Sequence, residues 1–170
     1  LIKSQPPNSK WWVKISDFGI SKRIDAGFML LSTVPGTTAY MAPEILSQEP
    51  GSSYKINYQQ ADMWSLGEVV FRMLTKMATF PLHSDLFRYM ARPDLFPSRP
   101  LSENGASDEV DIFIRAIMRP VPDDRLPSAE ALRHPWLQPI NSTRPRANTS
   151  ILAEMYCHLH SFLFLIAHLF

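Results

Sequence analysis

A mainly α-helical fold follows from three features of the sequence. From Ala61 to Thr75, the residues Leu66, Val69, Val70, Met73 and Leu74 cover much of a helical circumference. A helix apolar nearly all round is expected at the centre of a core. Val110, Phe113, Ile114 and Ile117 recur at i, i+3, i+4 and i+7, which predicts an amphipathic helix with one buried stripe. Strand composition is confined to the short run Trp11-Trp12-Val13-Lys14-Ile15.

Taken in order, Lys3 to Lys10 is polar and Pro-containing and reads as a turn or loop. The strand that follows ends at Asp17. Residues 20–42 show no sustained period and contain Gly27, Pro35 and Gly36, so an extended loop is expected. Pro50-Gly51-Ser52-Ser53 is a further turn signal. Past the long apolar helix the chain is mixed, with a short helix near Asp85 to Met90 that Pro93, Pro97 and Pro100 then break. Ser107 or Asp108 suits the N-cap of the amphipathic helix, because a short oxygen-bearing side chain can accept from the helix's free N–H groups. Ser128 should cap a shorter helix through Leu132, with Glu130 in its first turn favoured by the helix dipole, and Pro135 should stop it.

The chain has 170 residues, 45% of them hydrophobic and 19% charged, with a net charge of +1. That length can bury one core. A charge so near zero gives no field to steer the chain to nucleic acid or an anionic membrane. The single cysteine, Cys157, excludes an internal disulfide and fits a reducing compartment. Residue 1 is Leu and no charged-then-apolar leader precedes it, so the sequence reads as a fragment.

The chemistry-bearing words are Asp17-Phe18-Gly19, Gly36-Thr37-Thr38-Ala39-Tyr40-Met41 and Ala42-Pro43-Glu44, followed by Asp62-Met63-Trp64-Ser65-Leu66-Gly67, Arg125 and Arg133-His134-Pro135-Trp136-Leu137. Together they resemble the eukaryotic Ser/Thr protein kinase family, whose signature includes D-F-G and A-P-E with a phosphosite between them. The match runs from about Val13 to Leu137, and the closing H-P-W segment resembles the calcium/calmodulin-dependent group. The resemblance implies the fold of a kinase C-terminal lobe, without the N-terminal β-rich lobe and the catalytic loop. It implies a partial kinase domain over residues 1–138, a polar linker over 139–150 and an apolar tail over 151–170.

By the same resemblance, Asp17 is the metal-binding carboxylate, suited to Mg²⁺ because a hard cation takes oxygen ligands. Phe18 and Gly19 complete the corner, and Gly36 with Thr37 belongs to the loop that holds a protein substrate. Thr33, with Ser32 as neighbour and alternative, falls where an activating phosphate is carried; its charge would order the loop against Arg. Glu44 and Arg125 are implied to form a buried structural pair, which a planar guanidinium can close with two hydrogen bonds. Asp62 is implied to be buried and bonded to the catalytic-loop backbone, with Trp64 and Gly67 beside it in the central helix. Val69 and Met73 would lie beneath the adenine site, and His134 is a packed terminal residue. Val121 stands where the family often has Asp, so a helix-end hydrogen bond is missing there.

The 170 residues contain no G-x-G-x-x-G loop, no V-A-I-K lysine and no H-R-D-L-x-x-x-N loop. Leu1-Ile2-Lys3 resembles the end of the phrase that follows that loop's Asn, so no catalytic base lies within the chain. The expected function is therefore that of a Ser/Thr protein kinase by family, transferring the ATP γ-phosphoryl group to a protein hydroxyl. It is represented here by a truncated, inactive piece that does not hold ATP and Mg²⁺ tightly by itself. A pseudokinase-like binding module and a non-functional gene remnant are the alternatives. Expected partners are a protein substrate or an upstream kinase, with no nucleic acid, in a cytoplasmic or nuclear setting.

The tail, Ile151 to Phe170, carries Leu152, Met155, Tyr156, Leu159, Leu163 and Ile166 on one helical face. It reads as a helix packing on the domain or as an aberrant read-through end. Glu154, His158, His160 and His168 argue against a membrane span. An interfacial membrane helix is a second reading, weakened by the lack of Lys or Arg. Cys157, His158 and His160 fit no common structural zinc spacing.

Overall fold

The computed structural model describes residues 2–4, 12–13, 37–47 and 56–138. The chain divides into two units, Gly27–Pro127 and a second formed by Leu1–Ala26 with Ser128–Phe170. The polar linker and the apolar tail lie outside the described residues.

In the second unit, β1 (Ile2–Ser4) pairs antiparallel with β2 (Trp12–Val13), Ile2 opposite Val13 and Ser4 opposite Trp12 with an irregularity between them. Lys3 and Ser4 are thus strand rather than loop. Pairing is a non-local event, and the polar composition of that stretch does not announce it. Helix α6 (Ser128–Ala131) ends one residue before the expected Leu132, with Ser128 as its first residue. Pro135 opens a 3₁₀ turn, Pro135–Leu137, because a missing N–H is no loss in a first turn. Ahead of it, His134 Nδ1 accepts the Trp136 N–H at 3.2 Å.

The larger unit is helical. After a 3₁₀ turn at Thr37–Tyr40 come α1 (Pro43–Leu46), α2 (Tyr58–Thr75), α3 (His83–Ala91), α4 (Arg99–Glu103) and α5 (Asp108–Ile117). Helix α2 begins three residues before the apolar pattern does, because Asn57 caps it: Oδ1 accepts the Gln60 N–H at 3.3 Å. Its far end is a left-handed Lys76 at φ 59°, a conformation that costs a non-glycine residue about 1–2 kcal/mol. Thr75 offsets that strain. Its Oγ1 donates to the Phe71 carbonyl at 2.8 Å and accepts the Met77 N–H at 3.1 Å.

The core forms where α2 meets α5. Met63, Leu66, Val70 and Phe71 of α2 are buried, as are Val110, Phe113, Ile114 and Ile117, the stripe expected of α5. Ser107 is the N-cap of α5 but makes no side-chain capping bond; Asp108, Glu109 and Asp111 in the first turn offset the dipole there. An aromatic cluster extends the core: Trp64 to Phe80 at 6.0 Å, Phe80 to Tyr89 at 5.1 Å and Tyr89 to Phe96 at 5.5 Å between ring centroids.

Two expectations need correcting. Pro100 does not break a helix but stands in the first turn of α4, where its fixed φ is favourable. Helix α2 is not buried all round. Val69 is 36% and Met73 48% exposed, on the same face as the exposed Asp62. Periodicity reports which residues are apolar, whereas burial needs a packed neighbour, and among the described residues none covers this stripe.

Candidate functional site

The site gathers around the segment Thr37–Leu46. Met41 N–H closes the 3₁₀ turn onto the Thr38 carbonyl at 3.1 Å. Ala42, fully buried, is the N-cap of α1, and Pro43 occupies its first position, so chain direction is set by one rigid residue.

Two contacts fasten the turn to α2. Ser65 Oγ donates to the Tyr40 carbonyl at 2.8 Å. The Arg72 guanidinium lies over the Tyr40 ring, 4.8 Å from its centroid. Arg72 is itself held, its Nε–H donating to Glu68 Oε1 at 2.5 Å. Glu68 is buried in an otherwise apolar face, and it also accepts the Thr79 N–H at 3.3 Å. A buried carboxylate needs a cation and further donors, and these supply both.

Helix α1 is anchored from below by Arg125. Its two Nη groups donate to Glu44 Oε1 and Oε2, each at 2.7 Å. The remaining donors reach the carbonyls of Gln60 at 2.8 Å, Arg119 at 2.7 Å and Pro120 at 3.2 Å. All five guanidinium N–H groups thereby have acceptors. The Arg125 side chain is 0% and that of Glu44 9% exposed, and the guanidinium also lies 5.1 Å from the Trp64 ring centroid. One side chain thus ties α1, the first turn of α2 and the segment after α5 together.

Beside the turn is a cavity of about 100 Å³ with a mixed lining: Met41, Leu46, Trp64, Phe80, Leu82 and Leu86 on the apolar side, and Thr38, Glu68 and His83 on the polar.

Trp64 is buried in the aromatic cluster. Gly67 faces α5, and a Cβ there would overlap Met118 Cγ and lie 2.7 Å from its Sδ. Asp62, expected to be buried, is exposed, and its carboxylate has no partner among the described residues. Its surroundings still cost it hydration and raise its carboxyl above the usual range. Val121, at the N-cap of the 3₁₀ turn Pro122–Asp124, makes no side-chain capping bond. Asp17, Phe18, Gly19, Ser32, Thr33 and Gly36 lie outside the described residues, and of Thr37 only the backbone, opening the 3₁₀ turn, is described. Among the described residues no group of three or more His, Cys, Asp or Glu could hold a metal ion, and no helix is long and apolar enough to cross a membrane.

Glu68, Arg72 and Thr79 were not foreseen. A signal existed, since an acid and a base four apart within an apolar helix form a pair on one face. That the pair would reach Tyr40 and Thr79 is a tertiary fact.

The protein kinase domain family matches residues 1–137. The chain belongs to the eukaryotic Ser/Thr protein kinase family. It is 33% identical over 139 residues to Serine/threonine-protein kinase cds1 of Schizosaccharomyces pombe, covering 81% of this chain and 30% of that protein. It is 35% identical over 140 residues to Calcium/calmodulin-dependent protein kinase type 1 of Caenorhabditis elegans, covering 81% and 37%. Against Serine/threonine-protein kinase RAD53 of Saccharomyces cerevisiae the identity is 31% over 135 residues, covering 74% and 16%. The chain therefore spans between 16% and 37% of the length of these curated relatives. A solved structure of the Rad53 kinase domain and SCD2 in complex with AMPPNP aligns at 27% identity and a TM-score of 0.48, covering 71% of this chain and 46% of that one.

Proposed function

We propose that this chain is the substrate-seating part of a Ser/Thr protein kinase, and that these 170 residues by themselves transfer no phosphate. The observation that carries the reading is the part-apolar cavity beside Thr38–Met41, with the turn fastened by Ser65 and Arg72 and the helix after it anchored by Arg125. A loop held at three points presents a fixed surface to a flexible peptide, so little ordering is left to be done on binding.

The parent reaction is transfer of the ATP γ-phosphoryl group to a protein Ser or Thr hydroxyl. When bound, ATP supplies that group and Mg²⁺ neutralises charge on its phosphates. Asp17 is the residue of this chain that would ligate the metal; one carboxylate is the lower end of what Mg²⁺ takes from a protein. Thr37 and its loop seat the acceptor, and Thr33 or Ser32 is the regulatory phosphosite. Glu44, Arg125, Asp62, Trp64 and Gly67 support the seat rather than touch the reacting atoms. The chain contains no residues of the H-R-D-L-x-x-x-N type to accept the substrate proton, which supports inactivity of these residues alone.

Two measurements test this. In a radiolabel-transfer assay with peptide and MgATP, the purified chain should show no transfer; metal-dependent turnover above an Asp17→Ala control overturns the inactivity. A Ser-containing peptide bearing one photoreactive apolar residue should cross-link to Met41 or to the Phe80–Leu86 stretch. Labelling spread over the surface, undiminished by Leu82→Asp, removes the substrate-seating role.

A second reading, a binding module, is favoured by one observation. Val69, Met73 and Met77 are apolar and respectively 36%, 48% and 53% exposed, which is the signature of a face that meets a partner.

A further inference from the structure

A second cavity, of about 400 Å³, opens between the C-terminal end of α3 and the outer face of α5. It is lined by Tyr89, Pro93, Asp94, Ile112, Arg115 and Arg119 and shares no residue with the cavity beside the substrate turn. Its volume is in the range of ligand pockets, about 300–1,000 Å³.

The charges around it do not balance. The carboxylate on its wall, Asp94, is already engaged by Arg92 Nη2 at 3.1 Å, and that hydrogen bond holds its carboxyl below the usual range. Among the described residues Arg115 has only Asp111, at 3.9 Å, too long for a hydrogen bond. The Arg119 guanidinium has no partner among the described residues. Two guanidinium groups, Arg115 in the last turn of α5 and Arg119 just past its end, therefore line the cavity with most of their donors unused. Their backbone is not free to drift. The Arg119 carbonyl accepts Arg125 Nε–H at 2.7 Å, and the Met118 carbonyl accepts the Tyr89 hydroxyl at 2.9 Å. The positive field of Arg119, Arg115 and Arg125 converges on that hydroxyl, where it opposes the upward shift caused by burial.

Pro93 and Ile112 add apolar lining, and Ile112 is 57% exposed. A small anion would use the two arginines and leave Ile112 idle. Exposed ion pairs alone contribute little, so useful affinity needs apolar burial as well. We propose that this groove docks an acidic peptide segment of a partner protein, with carboxylates on Arg115 and Arg119 and an apolar side chain on Ile112. Planar guanidiniums suit carboxylates because both present forked geometry.

The test is fluorescence anisotropy of the 170-residue chain with a short fluorescein-labelled peptide alternating leucine and glutamate. The Arg115→Gln/Arg119→Gln variant, checked for an unchanged thermal transition, should bind at least tenfold more weakly. The same peptide with glutamine for glutamate should lose a similar factor, and Ile112→Ser should weaken binding while leaving its salt dependence intact. The proposal is overturned if the glutamate peptide does not bind, or if the double variant binds it as well as the parent. It is equally overturned if inorganic phosphate displaces the peptide at matching concentration and Ile112→Ser has no effect, which would make the groove a free-anion site. Because the two cavities share no residue, Leu82→Asp, at a position 62% exposed, should leave this binding unchanged, so its outcome is independent of the substrate-seating reading.

Discussion

Replacing Arg125 should be the most damaging single change in the helical unit. Arg125→Ala removes the cation from Glu44, whose side chain is 9% exposed, and strips acceptors at Gln60, Arg119 and Pro120 of a donor. Breaking a buried pair from one side costs about 3–5 kcal/mol, because a charge is left behind without its partner. Whole domains are stable by only about 5–15 kcal/mol, so the variant should lose a large fraction of its stability. Arg125→Lys is the sharper experiment. It keeps the charge but offers three donors in place of five and cannot form the fork, so at least two acceptors go without. Each buried polar group left unsatisfied costs about 1–3 kcal/mol, which places the loss near 2 kcal/mol or above. Urea unfolding followed by circular dichroism reads both, and a cycle with Glu44→Ala isolates the coupling. Arg125→Ala and Glu44→Ala should be strongly non-additive, since once one partner is gone removing the other relieves the orphaned group. The reasoning fails if Arg125→Lys unfolds within about 0.5 kcal/mol of the parent, the range of an ordinary surface substitution. It also fails if the two alanine changes simply add.

Three further outcomes are expected. Gly67→Ala should destabilise by about 1–3 kcal/mol, because its methyl overlaps Met118 at the α2–α5 contact, and Met118→Ala in the same chain should recover part of that loss; a neutral single variant would mean the helices separate freely. Tyr89, raised by burial to about 12, should make stability fall between pH 10 and 12. There the unfolded chain gives up the phenolic proton while the folded one keeps it, so the stability this group contributes is complete below pH 10 and lost as pH passes the folded value. Tyr89→Phe should lose the hydroxyl's bond to Met118 at neutral pH yet show a shallower alkaline decline, and parallel alkaline curves would refute the assignment. Asp62, whose carboxyl is raised, is favoured protonated in the folded state, so its contribution is complete below the ordinary Asp value and lost as pH rises through the folded one. Asp62→Asn should therefore stabilise the chain at neutral pH and have no effect at strongly acid pH, checked by thermal unfolding across pH.

What could be read in the sequence was what local chemistry encodes. The stripe Val110, Phe113, Ile114 and Ile117 specifies both a helix and its buried face, since a period of 3.6 has one geometric solution. The family was legible because words such as Ala42-Pro43-Glu44 and Asp62-Met63-Trp64 are contiguous. Apart from the Glu44–Arg125 pair, which the family resemblance implied and the structure closes, what could not be read was each feature requiring two distant segments to meet. Nothing local says that Lys3 and Ser4 pair with a strand, or that Lys76 can turn left-handed because Thr75 bonds both sides of it.

The sequence by itself therefore determined the fold class, the central and amphipathic helices and the kinase family of this chain, because periodicity, capping and short motifs act over a few residues. Only the tertiary structure decided that Val69 and Met73 face outward, that Glu68 is buried and passes its partner Arg72 to Tyr40, and that five acceptors converge on Arg125. Those depend on which faces meet, and the free energy of such meetings comes from burial and hydrogen bonds between residues up to 81 positions apart.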